Sequence, residues 1–227
     1  MNSKDIISKL NGFGMPVFSL ETLGNIMQKP IGYVRIYASR MYKKGIIGRI
    51  ENGLYCLPGT DEYTIASRII PYSYITSYAA LNHYGLTSQT TTKLQVVSSK
   101  YHRPVKLANY EVNFIHVKKD FIYGYAIVYN GPSFAEPEKI FVDDLYLHKR
   151  QYYAEEFEEA IKRNKLDIPK FKDYAIKSGN KAVVSMAGHY LESYGVAADD
   201  MLAFKSAAYL NLGSSHGSLD SKWKIRA

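Results

Sequence analysis

One cysteine, Cys56, occurs in 227 residues. A lone thiol excludes an internal disulfide and any zinc site built from clustered cysteines. No apolar run approaches the roughly 20 residues that span a bilayer, so no membrane partner is expected. The GxxxxGK phosphate loop and the GxSxG nucleophile elbow are both missing. Six histidines (His83, His102, His116, His148, His189, His216) show no paired metal-ligand spacing. His83 and His189 lie in apolar helical patterns and read as satisfied core or interface groups. No metal, cofactor or catalytic residue is therefore expected. The first ten residues, MNSKDIISKL, lack a long apolar core and carry Asp5, so they do not read as a secretory leader. The expected location is cytoplasmic. No internal repeat or low-complexity stretch is present.

What the chain does have is positive charge, unevenly placed. Lys and Arg number 29 against 21 Asp and Glu, a net charge of +8. Residues 1–60 hold eight of the cations and three of the acids, so over half the excess sits in about a quarter of the chain. A basic balance favours an anionic partner, of which nucleic acid is the commonest. Hydrophobic residues make up 46%, enough for a packed core.

The basic N-terminal part has a definite pattern. SKDIISKL (3–10) predicts a short helix with Ser3 as its cap, and NGFGMP (11–16) ends it. Ser19 caps a second helix with Leu20, Leu23 and Ile26 or Met27 on one face, and Lys29-Pro30 breaks it. A third helix is predicted from about Gly32 to Lys44, stopped by Gly45. Its inner stripe is Val34, Tyr37 or Ala38, and Met41. Tyr33, Arg35, Ser39, Arg40 and Lys43 lie elsewhere on its surface.

Asn52-Gly53 is a strong signal for a two-residue hairpin turn. Such a loop sets Glu51 opposite Leu54, Ile50 opposite Tyr55, Arg49 opposite Cys56 and Gly48 opposite Leu57. Ile46, Ile50, Tyr55 and Leu57 then share the packed face, and Arg49 points outward. Helices, turn, basic helix and hairpin together outline a winged helix-turn-helix, whose second helix lies in a DNA major groove. The expected DNA-binding residues are Lys29, Tyr33, Arg35, Ser39, Arg40, Lys43 and Arg49. The bland alternative is a small helical domain with a solvated basic face; a winged helix that only docks proteins is a further one.

Residues 61–227 read as a second domain of mixed α/β character with a small antiparallel sheet, making the whole chain α+β. Helices are predicted over Thr64–Ile70, Ser77–Tyr84 (capped by Thr76), Glu138–His148 (opened by Pro137) and Tyr152–Lys162. Three more follow: one starting at Pro169, then Lys181–Tyr194 capped by Asn180, and Met201–Leu210. Strands are predicted over Lys93–Ser98, Tyr110–Val117, Ile122–Tyr129 and Ser221–Arg226.

Four passages resemble one family: ENGLYCLPG (51–59), YITSYAALNHYGL (74–86), AEPEKIFVDDLYL (135–147) and SKWKIRA (221–227). In order and spacing they are similar to AbiEi-type antitoxins of abortive-infection, type IV toxin–antitoxin systems. The resemblance implies a winged helix over 1–60 that represses its own operon at inverted repeats on double-stranded DNA. It also implies a C-terminal antitoxin domain over 61–227 that counters a nucleotidyltransferase-like toxin. Tyr101–Asp120 matches no part of the pattern.

The carboxylates offer a competing chemistry. Glu138, Asp143 and Asp144 fall on one predicted helix, and Glu111 lies in a strand with Lys118 and Lys119 downstream. They read either as metal-binding acids of a DNA-targeted nuclease or as helix-start and ion-pair groups. The expectation is the second, and no enzyme activity.

Overall fold

The computed structural model describes residues 2–212 and 219–226. His216 and Ala227, which figure in the sequence reading, lie outside the described residues. Contacts group the chain into two compact units. The first takes Met1–Ile75, Thr92–His116 and Ala126–Phe134; the second takes Thr76–Thr91, Val117–Tyr125 and Ala135–Ala227. The expected domain at 1–60 lies wholly inside the first unit. The span 61–227 is shared between both.

The first unit opens with α1 (Ser3–Gly12), β1 (Val17–Ser19), α2 (Leu20–Met27), α3 (Ile31–Lys43), β2 (Gly48–Glu51) and β3 (Leu54–Cys56). Asn2, not Ser3, caps α1: its side chain accepts from the Asp5 N–H while the Asp5 carboxylate accepts from the Asn2 N–H. That reciprocal box satisfies two helix-end donors that serine at the next position leaves open. Ser19 caps α2 as expected, accepting from the Thr22 N–H at 3.1 Å.

Residues 6–57 have a core of their own. Ile6 and Leu10 of α1 meet Leu23 of α2 and Val34, Ala38 and Met41 of α3. Phe18, Ile47, Tyr55 and Leu57 close it from the sheet side, with Phe18 and Tyr55 stacked at 6.2 Å between ring centroids. The short sheet has the order β1-β3-β2, so β3 is central and β2 is an edge.

The hairpin register differs from expectation. Glu51 does face Leu54, but Arg49 faces Tyr55 and Gly48 faces Cys56, with an irregularity between Arg49 and Glu51. A bulge leaves Ile50 without an opposite residue. The buried isoleucine is consequently Ile47, while Ile46 and Ile50 are half-buried.

The rest of the first unit is built on α4 (Glu62–Arg68), β4 (Tyr74–Thr76), and, after α5 (Ser77–His83) of the second unit, β5 (Lys93–Ser98), β6 (Val105–Lys106), β7 (Glu111–His116), β8 (Tyr125–Ile127) and β9 (Ser133–Ala135). These strands form a sheet in the order β6-β7-β5-β4-β9-β8. The sheet is mixed, not antiparallel: β5 and β7 run parallel, as do β4 and β9, while β6 and β7 are antiparallel. Parallel neighbours need a long return path, and residues 99–110 supply one between β5 and β7. Arg68 locks the far end by donating to the carbonyls of Val128 and Gly131, both at 3.0 Å.

In the second unit α5 is followed by α6 (Pro137–His148), α7 (Ala154–Lys162), α8 (Ile168–Lys177), α9 (Lys181–Ser193) and a small sheet of β10 (Leu210–Asn211), β11 (Leu219–Asp220) and β12 (Ile225–Arg226). The helix expected over Met201–Leu210 is instead a 3-10 segment, Asp199–Phe204. The strand expected over Ser221–Arg226 shrinks to Ile225–Arg226, because Ser221–Lys224 form a turn. Likewise only Tyr125–Ile127 of the expected Ile122–Tyr129 strand is extended.

Trp223 is fully buried at this turn, its indole N–H donating to Glu192 at 2.9 Å. Asp220 organises the turn by accepting from the Trp223 N–H at 3.0 Å and from the His189 Nδ1–H at 2.7 Å. Burial pushes the Asp220 carboxyl up, but these donors outweigh it and hold the carboxyl below the usual range. A carboxylate depressed in the folded state stabilises above its unfolded value, about 4, and that stability is lost as pH falls through the folded value. The melting-temperature gap between wild type and Asp220→Asn is therefore expected at neutral pH and to narrow below about pH 4. Thermal melts across that range check it, and a constant gap contradicts the assignment.

Candidate nucleic-acid interface

The chain reverses between α2 and α3 in three residues. Gln28 ends α2 in left-handed backbone (φ 53°), Lys29 stands exposed in the turn, and Pro30 precedes the first turn of α3. At the other end of α3, just past its C-cap Lys44, Gly45 takes the left-handed backbone (φ 66°) that stops the helix. Val34, Ala38 and Met41 anchor α3 inward. A helix turns about 100° per residue, so the opposite side carries Arg35, Ser39, Arg40 and Lys43, with Tyr33 at its margin. Arg35, Arg40 and Lys43 are exposed, and α3 contains no acidic residue. Its charge is unopposed along the helix.

Not all the predicted residues are equally available. Ser39 is half-buried, and Tyr33 stacks on Tyr37 with ring planes 17° apart. Arg49 is exposed on β2, its guanidinium 3.4 Å from the Asn52 side-chain oxygen and 3.4 Å from the Glu51 carbonyl. Ile36 was missed. It is 57% exposed in the middle of the cationic stripe. The available signal was an isoleucine out of phase with the Val34–Ala38–Met41 spacing.

The candidate nuclease carboxylates have structural partners. Asp143 accepts from the Thr76 hydroxyl at 3.0 Å and pairs with the buried Lys139 ammonium. Asp144 accepts from His148 at 2.7 Å and from the backbone N–H groups of Tyr152 and Tyr153 at 2.9 and 3.1 Å. Burial still pushes its carboxyl up against those donors. Glu138 accepts from the Asp167 N–H at 3.0 Å and lies 3.2 Å from the Lys170 ammonium. Glu111 sits in β7 opposite Lys106 on one side and Lys93 on the other. Among the described residues no group of three or more His, Cys, Asp or Glu is placed to hold a metal ion. Burial pushes the Cys56 thiol up, which keeps it protonated and a poor nucleophile. His189 is satisfied by Asp220, whereas His83 is exposed at the end of α5 with its ring edge-on to Tyr84. Among the described residues no helix is long and apolar enough to cross a membrane.

No family model matches the chain, and no curated protein matches it. The chain is similar to a solved structure, the RV2827C protein from Mycobacterium tuberculosis, with a TM-score of 0.56 at 12% identity. The likeness covers 98% of this chain and 90% of that one. At this identity it shows a common mixed α+β fold over nearly the whole length.

Proposed function

We propose that this chain is a DNA-binding transcriptional repressor in which residues 1–60 act as a winged helix. The observation that carries the reading is the outward side of α3, where Arg35, Arg40 and Lys43 stand exposed with no acid on the helix. In this reading α3 enters the major groove and the β2–β3 hairpin, with Arg49, lies on the sugar-phosphate backbone. Lys29 meets a phosphate beside the turn, and Tyr33 and Ser39 add hydrogen bonds. The resemblance to AbiEi-type antitoxins extends the proposal: the repressor acts on its own promoter at inverted repeats. It is paired with a nucleotidyltransferase-like toxin that the remainder of the chain counters. The partners already held by Asp143, Asp144 and Glu138 favour this over the nuclease.

Replacing Arg35, Arg40 and Lys43 together by alanine is the test. Each lost phosphate contact flattens the dependence of log affinity on log salt by about 0.9, so three remove about 2.7. Between 50 and 200 mM salt the wild type should then lose about 40-fold more affinity than the variant. Titration of a duplex from the chain's own upstream region, at several salt concentrations, measures it. An unchanged slope and affinity refute the α3 surface.

A further inference from the structure

We infer that the segment Lys100–Arg103 forms a second phosphate-contacting ledge that extends the β2–β3 hairpin along duplex DNA. The inference rests on the DNA-binding reading above and adds a surface to it. Glu51 is the one carboxylate of the hairpin, and a negative charge there opposes DNA. Both its oxygens are occupied from this segment. Oε1 is 3.1 Å from His102 Nε2, and Oε2 is 3.6 Å from the Arg103 guanidinium. The other ring nitrogen of His102, Nδ1, lies 2.7 Å from the Arg103 carbonyl. The segment thus masks the acid of the hairpin and sets the Arg103 guanidinium against the hairpin residue Glu51, with Lys100 exposed three positions earlier in the same segment.

The ledge is fixed in shape. The Ser98 hydroxyl donates to the Lys100 carbonyl and accepts from the Lys100 N–H, both at 3.0 Å. The His102 ring packs on Phe114 at 4.8 Å between centroids, and Tyr101 stacks on His116 at 3.9 Å. The backbone of the segment therefore has little conformational freedom left to lose on binding. Yet its outer groups are open: the Arg103 side chain is 79% exposed and Tyr101 84%. Arg, Lys and Tyr are among the side chains that bond phosphate oxygens, which position a protein on DNA without reading bases. An ion pair this exposed contributes little to stability, so fold maintenance alone gives weak reason for it.

The test uses the full chain, with the Lys100→Ala/Arg103→Ala variant compared with wild type. On the same upstream duplex the salt slope should fall by about 1.8, a difference of about 12-fold in affinity loss between 50 and 200 mM salt. Hydroxyl-radical footprinting should lose protected backbone positions at one edge and keep the central ones. Lys100→Arg/Arg103→Lys, which retains both charges, should keep the wild-type slope. An unchanged slope and footprint in the alanine variant, while the α3 triple variant loses binding, overturn the ledge and leave the α3 surface standing. Absence of wild-type binding to any duplex overturns both. A slope that also falls in the charge-retaining variant makes the segment's role structural and overturns the ledge.

Discussion

Replacing Asp143 by alanine should destabilise the second unit by about 3–5 kcal/mol and lower its melting temperature by roughly 6–20 °C. The cause is Lys139, whose side chain is fully buried. Its ammonium pairs with Asp143 one helical turn along α6 and lies over the Phe121 ring, 3.7 Å from the centroid, with Tyr123 at 4.7 Å. Burial pushes the ammonium down and Asp143 pulls it back up. Truncating Asp143 takes away the opposing carboxylate and leaves the cation in an apolar, aromatic surround. Lys139→Met should cost a similar amount, by stranding the carboxylate. The double variant Lys139→Met/Asp143→Leu should cost less than either single change, since neither charge then needs burial. Its residual cost includes the Thr76 hydroxyl left without its acceptor. Urea or thermal unfolding of the four proteins gives the coupling directly. Additive losses would mean that the two groups are not a pair. The consequence for function is practical: a loss of activity in Asp143→Ala has to be separated from unfolding before it is assigned to the carboxylate itself.

That pair also shows where sequence reading stopped. Asp143 is legible in the sequence as a helix acid suited to an ion pair. The identity of the partner was hidden, because Lys139 in isolation reads as a solvated cation. Much local chemistry is legible: Asn180 accepts from the Ala182 N–H at 2.9 Å, Pro137 opens α6, and Asn52-Gly53 turns the hairpin, although the cap of α1 falls one residue earlier than Ser3. Each depends on residues within a few positions. What failed was non-local. β4 and β9 are three residues each and pair through Ile75 and Phe134, which are far apart in the chain, so neither carries a periodic signal. A bulge at one residue moved the buried position from Ile50 to Ile47. At the candidate interface the cations of α3 could be read from helical spacing, but the hold of His102 and Arg103 on Glu51 could not, since it joins positions separated in the chain by three strands and two helices.

Gly188 in α9 is a position where the ordinary rule should reverse. Alanine in place of a mid-helix glycine gains up to about 1 kcal/mol from backbone entropy and helix propensity. Here a Cβ would overlap the six-membered ring of Trp223, at Cη2, Cζ3 and Cε3. The indole cannot move aside cheaply: it has no exposed surface, its N–H is held by Glu192, and its backbone N–H by Asp220. Gly188→Ala should therefore destabilise by about 1–3 kcal/mol despite the propensity gain, as overpacking of a filled core does. The chain has a single tryptophan, so its fluorescence reports on this contact alone. A red shift of the folded-state emission should accompany the lower unfolding midpoint, because the ring must leave its buried position. In Trp223→Leu the ring is absent, and adding Gly188→Ala to that background should cost less than in wild type, or stabilise. If alanine stabilises the wild-type chain by about 1 kcal/mol with unchanged emission, α9 does not pack on the closing turn as described, and the glycine is there for another reason.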